Sequence, residues 1–136
     1  QREVAERLVA APGGRKYSLV TVLLGQCAHV EIHQTIPPGA FRPVPKVESA
    51  VLEIRFEPQR VAVQNMVLFE RVVRAAFSLR RKMLRNSLQP LTDTLKARGL
   101  SLEDMAAEAQ IDLTQRAENL SVDQYATLTR VIDTAG

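Results

Sequence analysis

Four prolines within nine residues, Pro37, Pro38, Pro43 and Pro45, separate two stretches whose apolar side chains alternate. Upstream, Ala28, Val30, Ile32 and Ile36 fall on one face, and His29, Glu31, His33 and Thr35 on the other. Downstream, Ser49 to Glu57 alternates again, with Ala50, Leu52, Ile54 and Phe56 on one side. A period of two marks a half-buried strand, because successive side chains of an extended chain point to opposite sides. Two such strands around one stiff loop most simply pair as an antiparallel hairpin.

The period changes after Pro58. Phe69, Val72, Val73, Ala76 and Phe77 recur at helical spacing, as do Leu102, Met105, Ala106 and Ala109. Ser121 with Gln124 three residues on reads as a capping box before a last helix carrying Tyr125, Leu128 and Ile132. Upstream of the hairpin, Arg2 to Ala11 reads as the end of a helix stopped by Ala11-Pro12-Gly13-Gly14. Tyr17 to Cys27 is apolar nearly throughout, so periodicity leaves buried strand and buried helix equally open. The expected fold is an α/β piece over residues 1–58 followed by a small all-α domain over residues 59–136.

Charge is unevenly shared. Residues 1–100 hold 16 Lys and Arg against 8 Asp and Glu, whereas residues 101–136 hold 2 against 7. The first hundred residues are therefore the part that a polyanion would meet. No run of 18 apolar residues encodes a membrane span. A single cysteine, Cys27, excludes an intrachain disulfide and fits a reducing cytoplasm. His29 and His33 share a strand face with no further cysteine or histidine to complete a cluster, so no metal is expected. The chain starts Gln1-Arg2-Glu3-Val4, so it is expected to begin inside a longer protein.

Two constellations carry chemistry. The prolines fix φ, so the loop presents Phe41, flanked by Arg42 and Lys46, with little entropy left to lose. An aromatic ring beside cations suits an unstacked base; a hydrophobic anchor on the core is the other role such a ring can fill. The second constellation is Arg71, Arg74, Arg80, Arg81, Lys82 and Arg85, six cations without an intervening acid. At 100° per residue, a helix starting near Arg80 would gather Met83, Leu84, Leu88 and Leu91 on one side and Arg81, Lys82 and Arg85 on the other. Such a face can track phosphates.

The segments Phe41-Arg-Pro-Val-Pro-Lys-Val-Glu-Ser-Ala-Val51 and Phe77-Ser-Leu-Arg-Arg-Lys-Met-Leu-Arg-Asn-Ser-Leu88 resemble two motifs of the rRNA adenine dimethyltransferase family, F-x-P-x-P-K-V-x-S-x-V and F-x-x-R-R-K-x-L-R-N-x-L. Arg116-Ala-Glu-Asn-Leu-Ser121 resembles the family's R-A-E-x-L-S turn. Gln1-Arg-Glu-Val-Ala-Glu-Arg-Leu8 is similar to the helix following its catalytic motif. All four stand in the family's order, although Tyr17 to Gln26 departs from its usual Y-G-R-L-S-V.

The resemblance implies the end of a Rossmann-like methyltransferase sheet, with a helix over Tyr17–Cys27, and then the helical domain. It implies an enzyme that dimethylates N6 of two adjacent adenosines near the 3′ end of small-subunit rRNA, using S-adenosylmethionine. Phe41 then matches the aromatic that packs on the flipped adenine. The donor's Gly-rich turn and the N-L-P-Y motif would precede Gln1, so neither catalytic nor cofactor-binding residues are expected in this chain, which alone should be inactive. The expected partner is small-subunit rRNA or its precursor particle, bound by a cytoplasmic monomer. The alternatives are a macrolide-resistance methyltransferase, an organellar transcription-factor relative, and a non-enzymatic RNA-binding or ribosome-assembly module.

Overall fold

Helix α1, Arg2–Leu8, ends before Pro12-Gly13, where Gly13 takes a φ of 103° that a side chain would resist. The apolar run resolves as a helix, α2, Leu19–Cys27. The Ser18 N–H donates to the Thr21 hydroxyl at 3.0 Å, and that hydroxyl donates to the Arg7 carbonyl at 2.6 Å, tying α2 to α1. Burial settles what periodicity could not, because Thr21, Val22 and Gln26 face inward at helical spacing. The computed structural model describes residues 1–135.

Cys27 passes without a linker into β1, Ala28–Ile36, which pairs antiparallel with β2, Ser49–Phe56. Among the described residues these two strands form the sheet. The expected hairpin is therefore present, with one correction. A bulge between Ile32 and Gln34 leaves His33 without a partner, so Thr35 comes opposite Ala50 and Ile36 opposite Ser49. The extra residue reverses the alternation beyond it. Ile36 thus leaves the face it was expected to share with Ala28, Val30 and Ile32.

Helix α3, Met66–Ser78, starts at Asn65, whose side chain accepts from the Leu68 N–H. Short helices α4, Leu84–Ser87, and α5, Thr92–Ala97, lead to α6, Leu102–Ala109, and α7, Val122–Thr134. The capping box is as expected: Gln124 N–H donates to Ser121 Oγ at 3.2 Å and Ser121 N–H to Gln124 Oε1 at 2.9 Å. Phe69, Val72, Val73 and Ala76 lie fully inside with Leu84, Leu88, Leu95, Met105, Leu120 and Leu128. Each of these side chains larger than alanine contributes about 1.5–3 kcal/mol of burial. Tyr17 and Val22 belong to this same core, so α2 packs with the helices while the hairpin projects from its end. No described helix is long and apolar enough to cross a membrane.

The helix expected to start near Arg80 does not form there. α3 stops at Ser78, residues 79–83 turn, and α4 spans only four residues. Long-range backbone bonds have replaced the helical ones: Leu84 N–H donates to Gln115 O at 2.7 Å and Arg85 N–H to Leu113 O at 3.0 Å. Met83, expected on the buried side, is 39% exposed. Tertiary pairing has overridden a favourable helix sequence.

Candidate nucleic-acid interface

The hairpin loop folds on its own backbone. Ala40 N–H donates to Pro37 O at 3.1 Å and Phe41 N–H to Pro38 O at 3.2 Å, closing a 3₁₀ turn over Pro38–Ala40. Phe41 follows this turn and stays 38% exposed, outside the core. Arg42 and Lys46 are exposed beside it, and neither forms an ion pair with a described residue. The loop therefore offers a ring and two unneutralised cations to solvent.

The six cations around the end of α3 divide by environment. Arg71 donates to the Thr94 hydroxyl at 3.1 Å, and Arg74 pairs with Glu70 at 2.8 Å one turn back. Arg80 is turned inward. Its Nη2 lies 3.1 Å from Gly14 O, 2.6 Å from Arg15 O and 3.1 Å from Glu118 Oε2, and its guanidinium stands 5.7 Å from the centre of the Phe77 ring. Arg81, Lys82 and Arg85 are exposed and free of ion pairs among the described residues. The helical face that grouped them is absent, yet the turn still presents all three outward.

Two more cations join them. Gly13 N–H donates to Glu118 O at 2.6 Å, and residues 113 and 115 accept from the start of α4. These bonds draw the loop at 11–16, the turn at 79–83 and the turn at 112–119 together, which brings exposed Arg15 and Arg116 to the same end of the molecule. Local pattern could not find them, since the contacts span 28 to 105 residues. Asp112 lies there too. The Thr114 hydroxyl and then the Thr114 N–H hold its carboxyl below the ordinary carboxylate range, opposed by slight desolvation, with the charge of Arg85 adding least.

His29 and His33 each meet a glutamate, Glu57 at 2.8 Å and Glu53 at 2.6 Å. Arg60 donates to His29 Nδ1 at 3.3 Å. No group of three or more potential metal ligands gathers among the described residues. Neither strand leads through a Gly-rich turn into an α-helix: β1 runs into the 3₁₀ turn and β2 into Pro58. A nucleotide-like methyl donor is held at such turns, so the residues present do not fit one.

A two-stranded antiparallel hairpin joined to a cluster of packed helices with a basic end is the class that this fold defines. A dimethyladenosine transferase from Plasmodium falciparum superposes with a TM-score of 0.72 at 19% identity, over 94% of this chain and 53% of that one. The 23S rRNA methyltransferase ErmE superposes at 0.64 and 20% identity, over 98% of this chain and 52% of that one. The chain belongs to the ribosomal RNA adenine dimethylase family, whose model matches residues 1–134. Its curated relatives include ribosomal RNA small subunit methyltransferase A of Anaeromyxobacter dehalogenans, 46% identical over 132 residues, covering 97% of this chain and 45% of the relative. The same-named protein of Rhodospirillum rubrum is 41% identical over 136 residues, covering 100% and 44%. The chain spans a little under half the length of these relatives, which agrees with a carboxy-terminal portion.

Proposed function

We propose that this chain is the RNA-holding and base-stacking part of an S-adenosylmethionine-dependent rRNA adenine N6,N6-dimethyltransferase acting on two adjacent adenosines near the 3′ end of small-subunit rRNA. The observation carrying this reading is the outward set of Arg81, Lys82 and Arg85, which form no ion pair among the described residues although Asp112 lies near enough to feel Arg85, joined by Arg15 and Arg116. Cations left unpaired at one end of a small domain fit a polyanion better than they fit solubility alone. Phe41, Arg42 and Lys46 form the second contact, where an extruded adenine would stack and its flanking phosphates would be met. Arg71 and Arg74, partly occupied by Thr94 and Glu70, serve as outlying phosphate contacts. Residues outside this chain hold the donor and the reacting amino group, so the chain alone is inactive. The residue 58/59 division then separates the part that completes the methyltransferase sheet and carries Phe41 from the part that carries most of the gripping cations, with Arg15 and α2 reaching across it. The whole protein works as a monomer in the cytoplasm, on the rRNA or its precursor particle, without a metal.

Replacing Arg81, Lys82 and Arg85 together with Gln tests the reading. None of the three fills the core, so the fold should persist. Small-subunit rRNA should bind more weakly, and the log–log salt slope should fall by about 2–3. Unchanged affinity with an unchanged slope would show that these cations are merely solvated.

A further inference from the structure

Arg80 differs from its neighbours in exposure and in partners. Arg81, Lys82 and Arg85 are exposed and form no ion pair among the described residues, whereas the Arg80 side chain is only 28% exposed and its Nη2 meets three acceptors. Two backbone carbonyls of the 11–16 loop, the Glu118 carboxylate and the Phe77 ring all converge on it. A lysine would fall short of this arrangement, because its ammonium ends one bond before Nη2, the single nitrogen that meets all three acceptors, and carries no planar group to set against the ring. The three segments that it touches are those that carry Arg15, Arg81 with Lys82, and Arg116.

We propose that Arg80 is a positioning residue, not a phosphate ligand: it clamps the 79–83 turn to the 11–16 loop and to Glu118, and so aims Arg81 and Lys82 at RNA. The proposal rests on the RNA reading above. Glu118 becomes an unexpected contributor to binding an anion. Its carboxylate would repel phosphate if it acted directly, yet it favours binding by holding the clamp shut. Gly13 supports the same joint, since its N–H bonds the Glu118 carbonyl at 2.6 Å from a backbone conformation suited to glycine.

The sign of one substitution separates the two roles. Were Arg80 a phosphate ligand, Glu118→Gln would release it and remove a repelling charge, so rRNA affinity would rise or hold. With Arg80 as the clamp, Glu118→Gln weakens binding and lowers the log–log salt slope by about 1–2, although no cation has been altered, because Arg81 and Lys82 are no longer held on their phosphates. Arg80→Lys keeps the charge and loses the reach of Nη2 to its three acceptors, so it should show the same two losses. Both variants are titrated as full chains with small-subunit rRNA, below the melting temperature that circular dichroism gives each. A change confined to stability would leave the slope of the folded protein alone. Wild-type slope and affinity in Arg80→Lys, or tighter binding by Glu118→Gln, overturns the clamp. A paired Arg81→Gln/Lys82→Gln control that changes nothing sinks the RNA reading itself, and the clamp with it.

Discussion

The Tyr125 hydroxyl donates to the Ala117 carbonyl at 2.6 Å, whereas the Tyr17 hydroxyl, also withdrawn from water, has no hydrogen-bond partner among the described residues. A buried unsatisfied hydroxyl costs about 1–3 kcal/mol, and a satisfied one contributes about 1 kcal/mol. Tyr17→Phe should therefore be neutral or raise stability by about 1 kcal/mol, while Tyr125→Phe should lower it by a similar amount. Burial also pushes the Tyr17 phenol up to about 12, from an ordinary value near 10. Tyr125 moves the same way, through burial first and the nearby Tyr17 second, against the opposing charge of Arg80. The folded chain holds the Tyr17 proton more tightly than the unfolded chain does. That contribution is complete below about pH 10 and disappears as pH rises towards 12. Tyr17→Phe should accordingly flatten the alkaline loss of stability. Urea melts of both variants at neutral and alkaline pH decide it, and a larger loss in Tyr17→Phe than in Tyr125→Phe would mean the hydroxyl has found a partner. Phe41 poses a different question at the same scale. On the proposed function, Phe41→Ala in the full-length protein should cost the methylation rate about 1–3 kcal/mol of stacking while barely changing RNA affinity, which many phosphates would supply. Parallel losses in rate and affinity would make the ring structural.

Elements whose pattern is local are legible in the sequence. α3, α6 and α7 follow runs of buried positions at helical spacing, and the hairpin follows two alternations around prolines. The capping box of α7 is readable from Ser121 and Gln124 alone, and both of its bonds form. Ser121→Ala removes the acceptor for the Gln124 N–H, so it should cost about 1 kcal/mol, measurable as a lower urea midpoint. Loss of less than a few tenths would mean that water replaces the cap. The basic segment misleads at this scale for a physical reason. Residues 80–91 have a helical pattern, but the start of α4 bonds to Leu113 and Gln115, some thirty residues away, and no spacing rule reports such partners. The bulge at His33 is hidden for the opposite reason. It is too small, a single residue that leaves the apolar content of β1 untouched while turning Ile36 over.

At the scale of the molecule, the basic end is half visible in the sequence. Arg81, Lys82 and Arg85 stand out as a run, while Arg15 and Arg116 join them only through the folding of three loops. The role of Arg80 is hidden in the same run, because its acceptors lie 38, 65 and 66 residues away. Phe41 stands out through its prolines, and its exposure could not be read from them. The joint at Cys27–Ala28 links the two contact regions. α2 is packed into the helical core through Val22, its Gly25 lies so close to Val122 that a Cβ there would approach the side chain to 3.0 Å, and the chain enters β1 with no spare residue. On the proposed function, this makes the molecule a gauge. The gripping end sets the zero, the hairpin sets the span, and the nucleotide that reaches Phe41 is selected by how far it lies from the gripped phosphates along the folded RNA, with no base having to be read for its sequence.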